Sequence, residues 1–342
     1  MLKQFLKDYD GPPMRVMEIC GSHTDAVAKN GIPSLLSKNI SLLSGPGCPV
    51  CVTTSAYIDR LIKLAREGEV IVTFGDLIRV PGSQDSLAMC KGEGCDIRMV
   101  YSPMDVIDMA EGEPEKSFVY AAVGFETTTP VYALLMEELI EKEIRNVRLL
   151  TALKTMPEVV DRMLSEGAPI DGFLAPGHVS VVTGFEVFRP IAERYRIPFV
   201  VAGFQGEELL VALYELITHR GEGVVINAYP AVVTGEGNIK AQEMVGTFFQ
   251  KCDASWRGLG LVPDSGYELR EEYRGFDAGS RGLDSDEKKN PACRCDSVLT
   301  GRIRPYECPL YGRSCLPESP QGACMVSTEG SCHSYYVNRR KD

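Results

Sequence analysis

The sequence has 342 residues, of which 44% are hydrophobic and 24% are charged, so it is long enough for more than one hydrophobic core. Its formal net charge of -11 argues against a nucleic-acid partner, because binding to phosphate backbones depends on clustered Lys and Arg. No run approaches about eighteen apolar residues and no signal peptide is recognisable, so we expect a cytoplasmic protein without a membrane segment. Twelve cysteines in a reducing compartment indicate metal ligation or thiol chemistry.

Short apolar runs alternate with helical segments between residues 14 and 229, separated by turns that contain Gly or Pro. This alternation predicts βα units and parallel sheets. The predicted strands are, in chain order, 15–19, 40–43, 70–74, 97–101, 118–123, 147–151, 172–175, 199–202 and 224–228. Apolar residues recurring every three or four positions predict helices at 55–66, 131–143, 157–165 and 207–219.

A polar segment at 111–116, EGEPEK, interrupts the apolar pattern and predicts a domain boundary. We therefore expect an α/β fold in which two Rossmann-like parallel-sheet domains, at 12–112 and 117–230, face a cleft. After residue 235 the sequence becomes charged and rich in glycine, with little periodic hydrophobicity. We expect a loop-rich C-terminal domain at 231–342 that packs with residues 1–11.

The last fifty residues contain six cysteines, enough for four metal-ligating thiolates with two left over: Cys293, Cys295, Cys308, Cys315, Cys324 and Cys332. None of these pairs has the spacing of a zinc ribbon, and irregular wide spacing favours an iron–sulfur cluster held from separate loops. The intervening prolines and glycines favour loops whose backbone N–H groups can point at sulfur. A zinc site and a set of structural cysteines are the alternatives.

Two thiol motifs follow the first two predicted strands, at the edge where ligands bind in parallel sheets. Cys20 and His23 follow the first strand, and Cys48 and Cys51 form a CxxC on a Gly/Pro turn after the second. A helix N-terminus after the CxxC would lower the thiol pKa and favour a nucleophile, a metal ligand or a dithiol/disulfide pair. Converging in one crevice, the motifs could bind Fe(II). Alternatively, the CxxC is half of a zinc site and His23 hydrogen-bonds a neighbouring carbonyl.

Three further strand ends carry polar side chains, which indicates a shared cleft. Asp76 follows the third strand, Glu126 lies in GFETTTP after the fifth, and His178 lies in PGH after the seventh. The threonines of GFETTTP could bind an anion or cap the next helix, and His178 could equally be structural. Neither a phosphate-binding P-loop nor a complete dinucleotide fingerprint is present, so a standard nucleotide enzyme is unsupported.

Seven segments, in order along nearly the whole chain, resemble the HypD family of hydrogenase maturation factors. They are MEICGSHTDA at 17–26, LLSGPGCPVCVT at 42–53, VGFETTTP at 123–130, LAPGHVSVVTG at 174–184, INAYPAVV at 226–233, CRCDSVLTGRIRPYECPLYGRSC at 293–315 and GACMVSTEGSC at 322–332. The resemblance implies a scaffold that builds the Fe(CN)2CO group of NiFe hydrogenases with the small chaperone HypC. It also implies HypE as the cyanide donor and the hydrogenase large subunit as the indirect recipient.

Residue roles in the cleft follow from the same resemblance. The iron-holding cysteine of the family matches Cys20, with His23 nearby, and its CxxC matches Cys48 and Cys51. The implied mechanism has Cys20 and a HypC cysteine holding transient Fe(II), with its CN and CO ligands, while the CxxC cycles between dithiol and disulfide. We therefore expect a redox-active maturation scaffold rather than a conventional turnover enzyme.

The family pattern also implies roles for the C-terminal cysteines. Gaps of fourteen, six and sixteen residues select four 4Fe-4S ligands: Cys293, Cys308, Cys315 and Cys332. Cys295 and Cys324 remain as a redox-active pair that would relay electrons from the cluster, an arrangement similar to ferredoxin-thioredoxin reductase. Spacing alone also permits Cys295 in place of Cys293 as the first ligand.

Two other functions use the same residues. A stand-alone thiol–disulfide oxidoreductase needs only the CxxC and the thiols beside the cluster, and predicts turnover with a generic dithiol and no partner. A structural zinc-binding module predicts a colourless protein.

Overall fold

A computed structural model describes residues 2–288 and 290–338 as an α/β protein built around two sheets. The strands are β1 (Met14–Glu18), β2 (Ile40–Ser44), β3 (Val70–Thr73), β4 (Ile97–Met99), β5 (Phe118–Gly124), β6 (Val147–Lys154), β7 (Gly172–Pro176), β8 (Phe199–Ala202), β9 (Val225–Asn227), β10 (Phe249–Trp256) and β11 (Gly260–Leu269). Each predicted strand is present, with ends that differ by three residues at most.

Helices connect these strands and cover the sheets. The α-helices are α1 (Leu2–Asp8), α2 (Gly21–Lys29), α3 (Ser55–Arg66), α4 (Leu87–Gly92), α5 (Asp105–Gly112), α6 (Thr129–Glu141), α7 (Met156–Ser165), α8 (Gly177–Thr183), α9 (Arg189–Tyr195), α10 (Gly206–Thr218), α11 (Ile239–Phe248), α12 (Cys295–Leu299), α13 (Ala323–Val326) and α14 (Ser331–Asn338). Short 3-10 helices lie at Ile32–Leu35, Gly75–Arg79, Glu186–Phe188, Glu271–Phe276 and Pro305–Glu307. The four predicted helices correspond to α3, α6, α7 and α10. Among the residues described, no helix has the length and hydropathy that spanning a bilayer requires.

The first sheet is parallel throughout and has the strand order β2-β1-β7-β8-β9. Strand β1 is central, because Val16 pairs with Leu42 on one side and with Gly172 on the other. Strands β7 and β8 are buried along their whole length, as expected for a parallel sheet covered on both faces. The direction of winding reverses between β1 and β7, which makes their carboxyl ends the switch point of this sheet.

The second sheet is mixed and has the order β10-β11-β6-β5-β3-β4. Strands β3 to β6 run parallel, whereas β11 runs antiparallel to both β6 and β10. Its winding reverses between β3 and β5. The second sheet is therefore parallel over β3 to β6, as predicted, and in addition carries the antiparallel β10–β11 hairpin.

The two sheets do not follow the predicted division at 111–116. Strands β1 and β2 share a sheet with β7 to β9, and β3 and β4 share a sheet with β5 and β6. The polar segment is the loop between α5 and β5, within the second sheet. Each sheet therefore takes strands from both 12–112 and 117–230, so the assignment of one sheet to each segment is wrong. The segment 231–342, expected to be loop-rich, also contributes β10 and β11 to the second sheet.

Helix α1 packs on α10 of the first sheet. The rings of Phe5 and Tyr214 lie 5.0 Å apart, and the carbonyl of Leu6 accepts a hydrogen bond from the Ser37 N–H at 2.9 Å. Leu6 is fully buried in the core beneath α10. This position corrects the expectation that residues 1–11 pack with the C-terminal domain.

We expect Leu6→Ala to lower the free energy of unfolding by about 2–5 kcal/mol, because it leaves a cavity beneath α1. The exposed Lys3 of the same helix provides the control, and Lys3→Ala should change stability by no more than about 0.5 kcal/mol. Urea unfolding followed by circular dichroism measures both. Equal, small effects for the two variants would mean that α1 contributes nothing to the core.

Candidate metal and thiol site

The carboxyl ends of strands from the two sheets meet at a cavity of about 420 Å³. Glu126 and Thr155, which follow β5 and β6, line one side, and Val182 and Val187, which follow β7, line another. Ligands of open α/β sheets bind outside the carboxyl ends of the strands, near a switch point. Of the strand-end residues predicted to share a cleft, Glu126 lines this cavity, whereas Cys20, His23, the CxxC cysteines, Asp76 and His178 lie outside its lining.

Cys20 lies between the end of β1 and the start of α2, at the switch point of the first sheet. Its side chain is buried, and burial raises the pKa of the thiol to about 12, although the backbone N–H groups of His23 and Ser22 act in the opposite direction. The Glu18 carboxylate accepts a hydrogen bond from the Cys20 backbone N–H at 3.1 Å. Cys20 is therefore a neutral thiol, and a cation beside it would favour loss of its proton.

His23 is fully buried, and its Nε2 lies 3.0 Å from the carbonyl oxygen of Gly203 and 3.3 Å from that of Ala202. Burial lowers the pKa of the ring to about 4, so the imidazole is neutral and its Nε2–H donates to these carbonyls. The Phe204 ring contacts both imidazoles of the region, with centroids 4.6 Å from His23 and 4.0 Å from His178. The carbonyl bond corresponds to the structural alternative for His23. Its buried Nδ1 has no hydrogen-bond partner and keeps a lone pair.

Cys48 and Cys51 form a disulfide, and both side chains are buried. The loop that carries them lies against the Cys20 turn, where the carbonyl of Gly47 accepts a hydrogen bond from the Gly21 N–H at 2.9 Å. A Cβ atom at position 47 would overlap the backbone nitrogen of Cys20, so only glycine allows this approach. The two front motifs are therefore brought together as predicted. Helix α3 begins at Ser55, beyond the CxxC.

The cysteine-bearing tail packs into the same core as the CxxC. The Cys51 sulfur lies 3.9 Å from the carbonyl oxygen of Ala323, the residue that precedes Cys324. One contiguous cluster of buried residues contains both disulfide cysteines and five tail cysteines: Cys293, Cys295, Cys315, Cys324 and Cys332. The disulfide and these five tail cysteines thus share one core, whereas Cys20 and Cys308 lie outside this cluster.

The tail cysteines are reduced, buried and in contact with one another. The Cys293 and Cys295 sulfurs lie 3.4 Å apart. Cys295 also contacts Cys324, and Cys324 contacts Cys332. Cys315 lies near enough to Cys293 and Cys308 for like-charge repulsion between the thiolates to raise its pKa, although burial is the larger cause. The predicted Cys295/Cys324 pair is therefore adjacent, within a larger group of thiols.

The surroundings of these sulfurs fit an iron–sulfur cluster. The backbone N–H of Gln321 donates to the Cys315 sulfur at 3.4 Å, and such hydrogen bonds stabilise cluster sulfur. A Cβ atom at Gly322 would lie 2.5 Å from the Cys295 sulfur and 2.7 Å from the Cys293 sulfur, so the glycine leaves space beside both. Among residues 2–288 and 290–338, no three His, Cys, Asp or Glu side chains converge on a single metal ion. An iron–sulfur cluster needs no such convergence, because it distributes its thiolates over several irons.

The chain is similar to known proteins along nearly its whole length. The HypD family model, described as "Hydrogenase formation hypA family", matches residues 2–339. A putative hydrogenase expression/formation protein of Methanocaldococcus jannaschii is 42% identical over 331 residues, which cover 96% of this chain and 92% of that protein. The hydrogenase maturation factor HypD of Escherichia coli is 39% identical over 343 residues, covering 96% of this chain and 90% of that protein. The chain belongs to the HypD family.

Two acidic residues beside Cys20 in this HypD-family chain were missed by the sequence analysis. Glu18 accepts a hydrogen bond from the Thr24 hydroxyl, and Glu329 accepts one from the Ser22 hydroxyl at 3.0 Å. Burial raises the pKa of Glu18 to about 8 and also raises that of Glu329. A signal for Glu18 was present, since it is an acid between the apolar residues Met17 and Ile19 at the end of β1. Glu329 reaches the cleft only through the folding of the tail, which no local pattern indicates.

Glu126 of the HypD-family motif GFETTTP is a buried acid at the wall of the cavity. Its Oε1 accepts a hydrogen bond from the Met156 N–H at 2.7 Å, and its buried Oε2 has no partner. Burial raises the pKa of this carboxyl to about 7. Near it, the Lys251 ammonium donates to Glu158 at 2.8 Å and to the Thr155 hydroxyl at 3.0 Å. The cavity therefore places a protonatable acid and a lysine close together.

We expect Glu126→Gln to change how stability depends on pH. The folded protein binds this proton more tightly than the unfolded chain, so the stability that Glu126 contributes is fully present below about pH 4.5 and is lost as the pH rises through about 7. The free energy of unfolding of the variant relative to the wild type should rise by about 1.4 kcal/mol per pH unit in this window. Urea unfolding at several pH values measures it, since other groups titrate in both proteins and cancel. Parallel curves would contradict the raised pKa.

Proposed function

We propose that this HypD-family chain is a redox-active scaffold on which the Fe(CN)2CO group of NiFe hydrogenases is assembled. The observation that carries the proposal is that the Cys20 turn lies against the Cys48–Cys51 loop, whose disulfide shares one core with five of the tail cysteines. A small HypC-like chaperone, a HypE-like cyanide donor and, indirectly, the hydrogenase large subunit are the proposed partners. We propose these partners because relatives of this chain are named as hydrogenase maturation or formation proteins.

In this proposal Cys20 binds the iron that is carried as substrate. The thiol is neutral when buried, and Fe(II) would displace its proton, because a cation offsets the cost of a buried thiolate. One protein thiolate is an incomplete ligand set, and no three-residue metal site occurs in the described part of the chain. A cysteine of the HypC-like partner would complete the set. The neutral His23 would help to shape the pocket through its bonds to the Ala202 and Gly203 carbonyls.

The Cys48–Cys51 pair would act as a two-electron couple beside the iron. Reduction of the disulfide consumes two electrons and two protons and leaves two thiols. The close approach of Gly47 to the Cys20 backbone keeps this loop against the Cys20 turn. The contact between the Cys51 sulfur and the Ala323 carbonyl keeps it against the tail. Changes in the oxidation state of the pair would therefore occur next to both the iron-binding thiol and the Cys324 segment.

The tail would hold a 4Fe-4S cluster through the cysteines that match the family spacing: Cys293, Cys308, Cys315 and Cys332. A bound cluster would supply electrons singly. Cys295 and Cys324 would serve as the adjacent redox pair, since their side chains are in contact. Burial of the tail cysteines would keep bulk water away from sulfur and limit competing oxidation.

Cys20→Ala should abolish iron loading in the complex with the HypC-like partner. The complex is prepared anaerobically from cells that make the other maturation proteins, and infrared spectroscopy measures its CN and CO stretching bands. We expect bands for the wild type and background for the variant. Cys252→Ala is the matched control, because it removes a partly buried thiol from β10, and it should retain the bands. Normal bands in the Cys20→Ala complex would contradict the role of Cys20.

Serine substitution of each cluster ligand should remove the cluster. Anaerobic iron and sulfide analysis should fall from about four of each per chain to near zero in Cys293→Ser, Cys308→Ser, Cys315→Ser and Cys332→Ser. Cys295→Ser and Cys324→Ser should retain the iron. Loss of iron in Cys295→Ser with retention in Cys293→Ser would instead identify Cys295 as the first ligand. Zinc without sulfide in the wild type would contradict the cluster altogether.

A stand-alone thiol–disulfide oxidoreductase is the second candidate, and the formed Cys48–Cys51 disulfide favours it. Its distinguishing property is multiple turnover with a small dithiol and no partner protein. Sustained turnover by the isolated chain, together with wild-type hydrogenase maturation in a strain carrying Cys20→Ala, would favour this function over the scaffold.

A further inference from the structure

A second pair of cysteines lies outside the site described above, at the end of α4. The sulfurs of Cys90 and Cys95 are 2.7 Å apart, and both cysteines are reduced. Cys90 is fully buried, whereas Cys95 is partly exposed. One thiol is therefore accessible to a small reagent, and the other lies directly behind it.

The backbone of the turn explains this proximity. The N–H of Cys95 donates to the carbonyl of Cys90 at 3.2 Å, which closes the chain on itself after α4. Gly94 has a φ of +101°, a conformation that residues with a Cβ rarely adopt, and it turns the chain back toward the helix. The Lys91 ammonium donates to the carbonyl of Ile97 at 2.9 Å and ties the helix to β4. The two thiols are thus held together by the fold, before any bond joins them.

The surroundings separate this pair from the metal and thiol site. Cys90 belongs to the core formed by α3, α4 and the second sheet, and Cys95 packs against that core. Near the turn, the Arg66 guanidinium donates to Asp85 and Glu93, each at 2.8 Å. Burial raises the pKa of the Cys90 thiol to about 12, and its contact with Cys95 acts in the same direction, whereas the Arg66 guanidinium opposes the rise.

We propose that Cys90 and Cys95 are a second redox-active dithiol, which a low-molecular-weight disulfide such as oxidised glutathione converts reversibly into an intramolecular disulfide. The Cys95 thiolate attacks the small disulfide, forming a mixed disulfide and releasing one small thiolate. Cys90 loses its proton to solvent and attacks the Cys95 sulfur, which releases the second small thiolate. Two protein thiols are oxidised and one small disulfide is reduced to two thiols, so electrons and atoms balance.

The sequence provides a direct assay for this bond. Trypsin cleaves after Arg79, Lys91 and Arg98, so Cys90 lies in peptide 80–91 and Cys95 in peptide 92–98. The whole protein, with its metal site intact, is incubated anaerobically with mixtures of oxidised and reduced glutathione, blocked with iodoacetamide and digested. We expect a linked pair of these peptides, lighter by two hydrogens than their sum, which separates after reduction.

Single substitutions test the order of attack. Cys90→Ser should leave a stable glutathione adduct on Cys95, whereas Cys95→Ser should leave the buried Cys90 without an adduct. Cys252→Ser, which removes a partly buried thiol from β10, is the matched control and should form the linked peptides as the wild type does.

The wild-type result decides the proposal even where a variant fails to fold. Two separately alkylated peptides across the whole glutathione range would overturn it, and so would a persistent glutathione adduct on Cys95 in the wild type. A linked pair that reductant does not separate would also overturn it, since the proposed bond is reversible.

Discussion

The packing of the C-terminal cysteine segment against the CxxC loop is the contact on which the site depends. It joins residues distant in sequence, because the Cys51 sulfur meets the carbonyl of Ala323 inside one core. Without this contact the tail would be a set of loops with too little apolar surface to fold alone. With it, cysteines from the first sheet and from the tail lie within one interior.

Burial at this site disfavours the charged forms of its acids and thiols. Thiols and acids that ionise in water are held neutral when they are desolvated, as the raised pKa values of Cys20 and Glu18 indicate. Such a pocket is poorly suited to free thiolates and well suited to thiols that ionise only when a cation arrives. The chain as a whole is acidic, yet the groups nearest Cys20 contribute little negative charge until they are deprotonated.

Much of the fold could be predicted from the sequence, because buried parallel strands have a strong local signature. Apolar runs ending in Cys20, Cys48 or Glu126 identified both the strands and the edge at which polar groups collect. Sheet membership could not be predicted in this way. Which strand pairs with β1 depends on contacts far along the chain, and the proline-containing polar segment at 111–116 resembles a linker although it is a crossover loop. The β10–β11 hairpin has a weak sequence signal, because a register shift between Cys252 and Ala254 interrupts the alternation of β10 and because β11 contains Pro263, Asp264 and Gly266.

At the site, the sequence motifs predicted which residue types are present, whereas the contacts among these residues depend on the fold. Adjacent parallel strands predict that Cys20 lies near the CxxC, and in the structure the two loops are joined by a backbone hydrogen bond. The position of Glu329 and the carbonyl bond of His23 depend on the tail and on the end of β8, so no spacing rule contains them. Sequence reasoning therefore found the groups that ionise or bind metal more readily than those that hold them in place.

The interleaved order of the strands has a consequence for synthesis on the ribosome. Strand β1 leaves the exit tunnel early. Its neighbour β7, whose Gly172 pairs with Val16, is made only after most of the second sheet. Likewise, the free edge of β6 stays uncovered until β11 has been made. Neither half can mature as an independent unit during translation, so the nascent chain exposes unpaired strand edges for longer than a protein of two consecutive domains would. The cysteine tail is made last, and its docking completes an interior whose other walls are already in place.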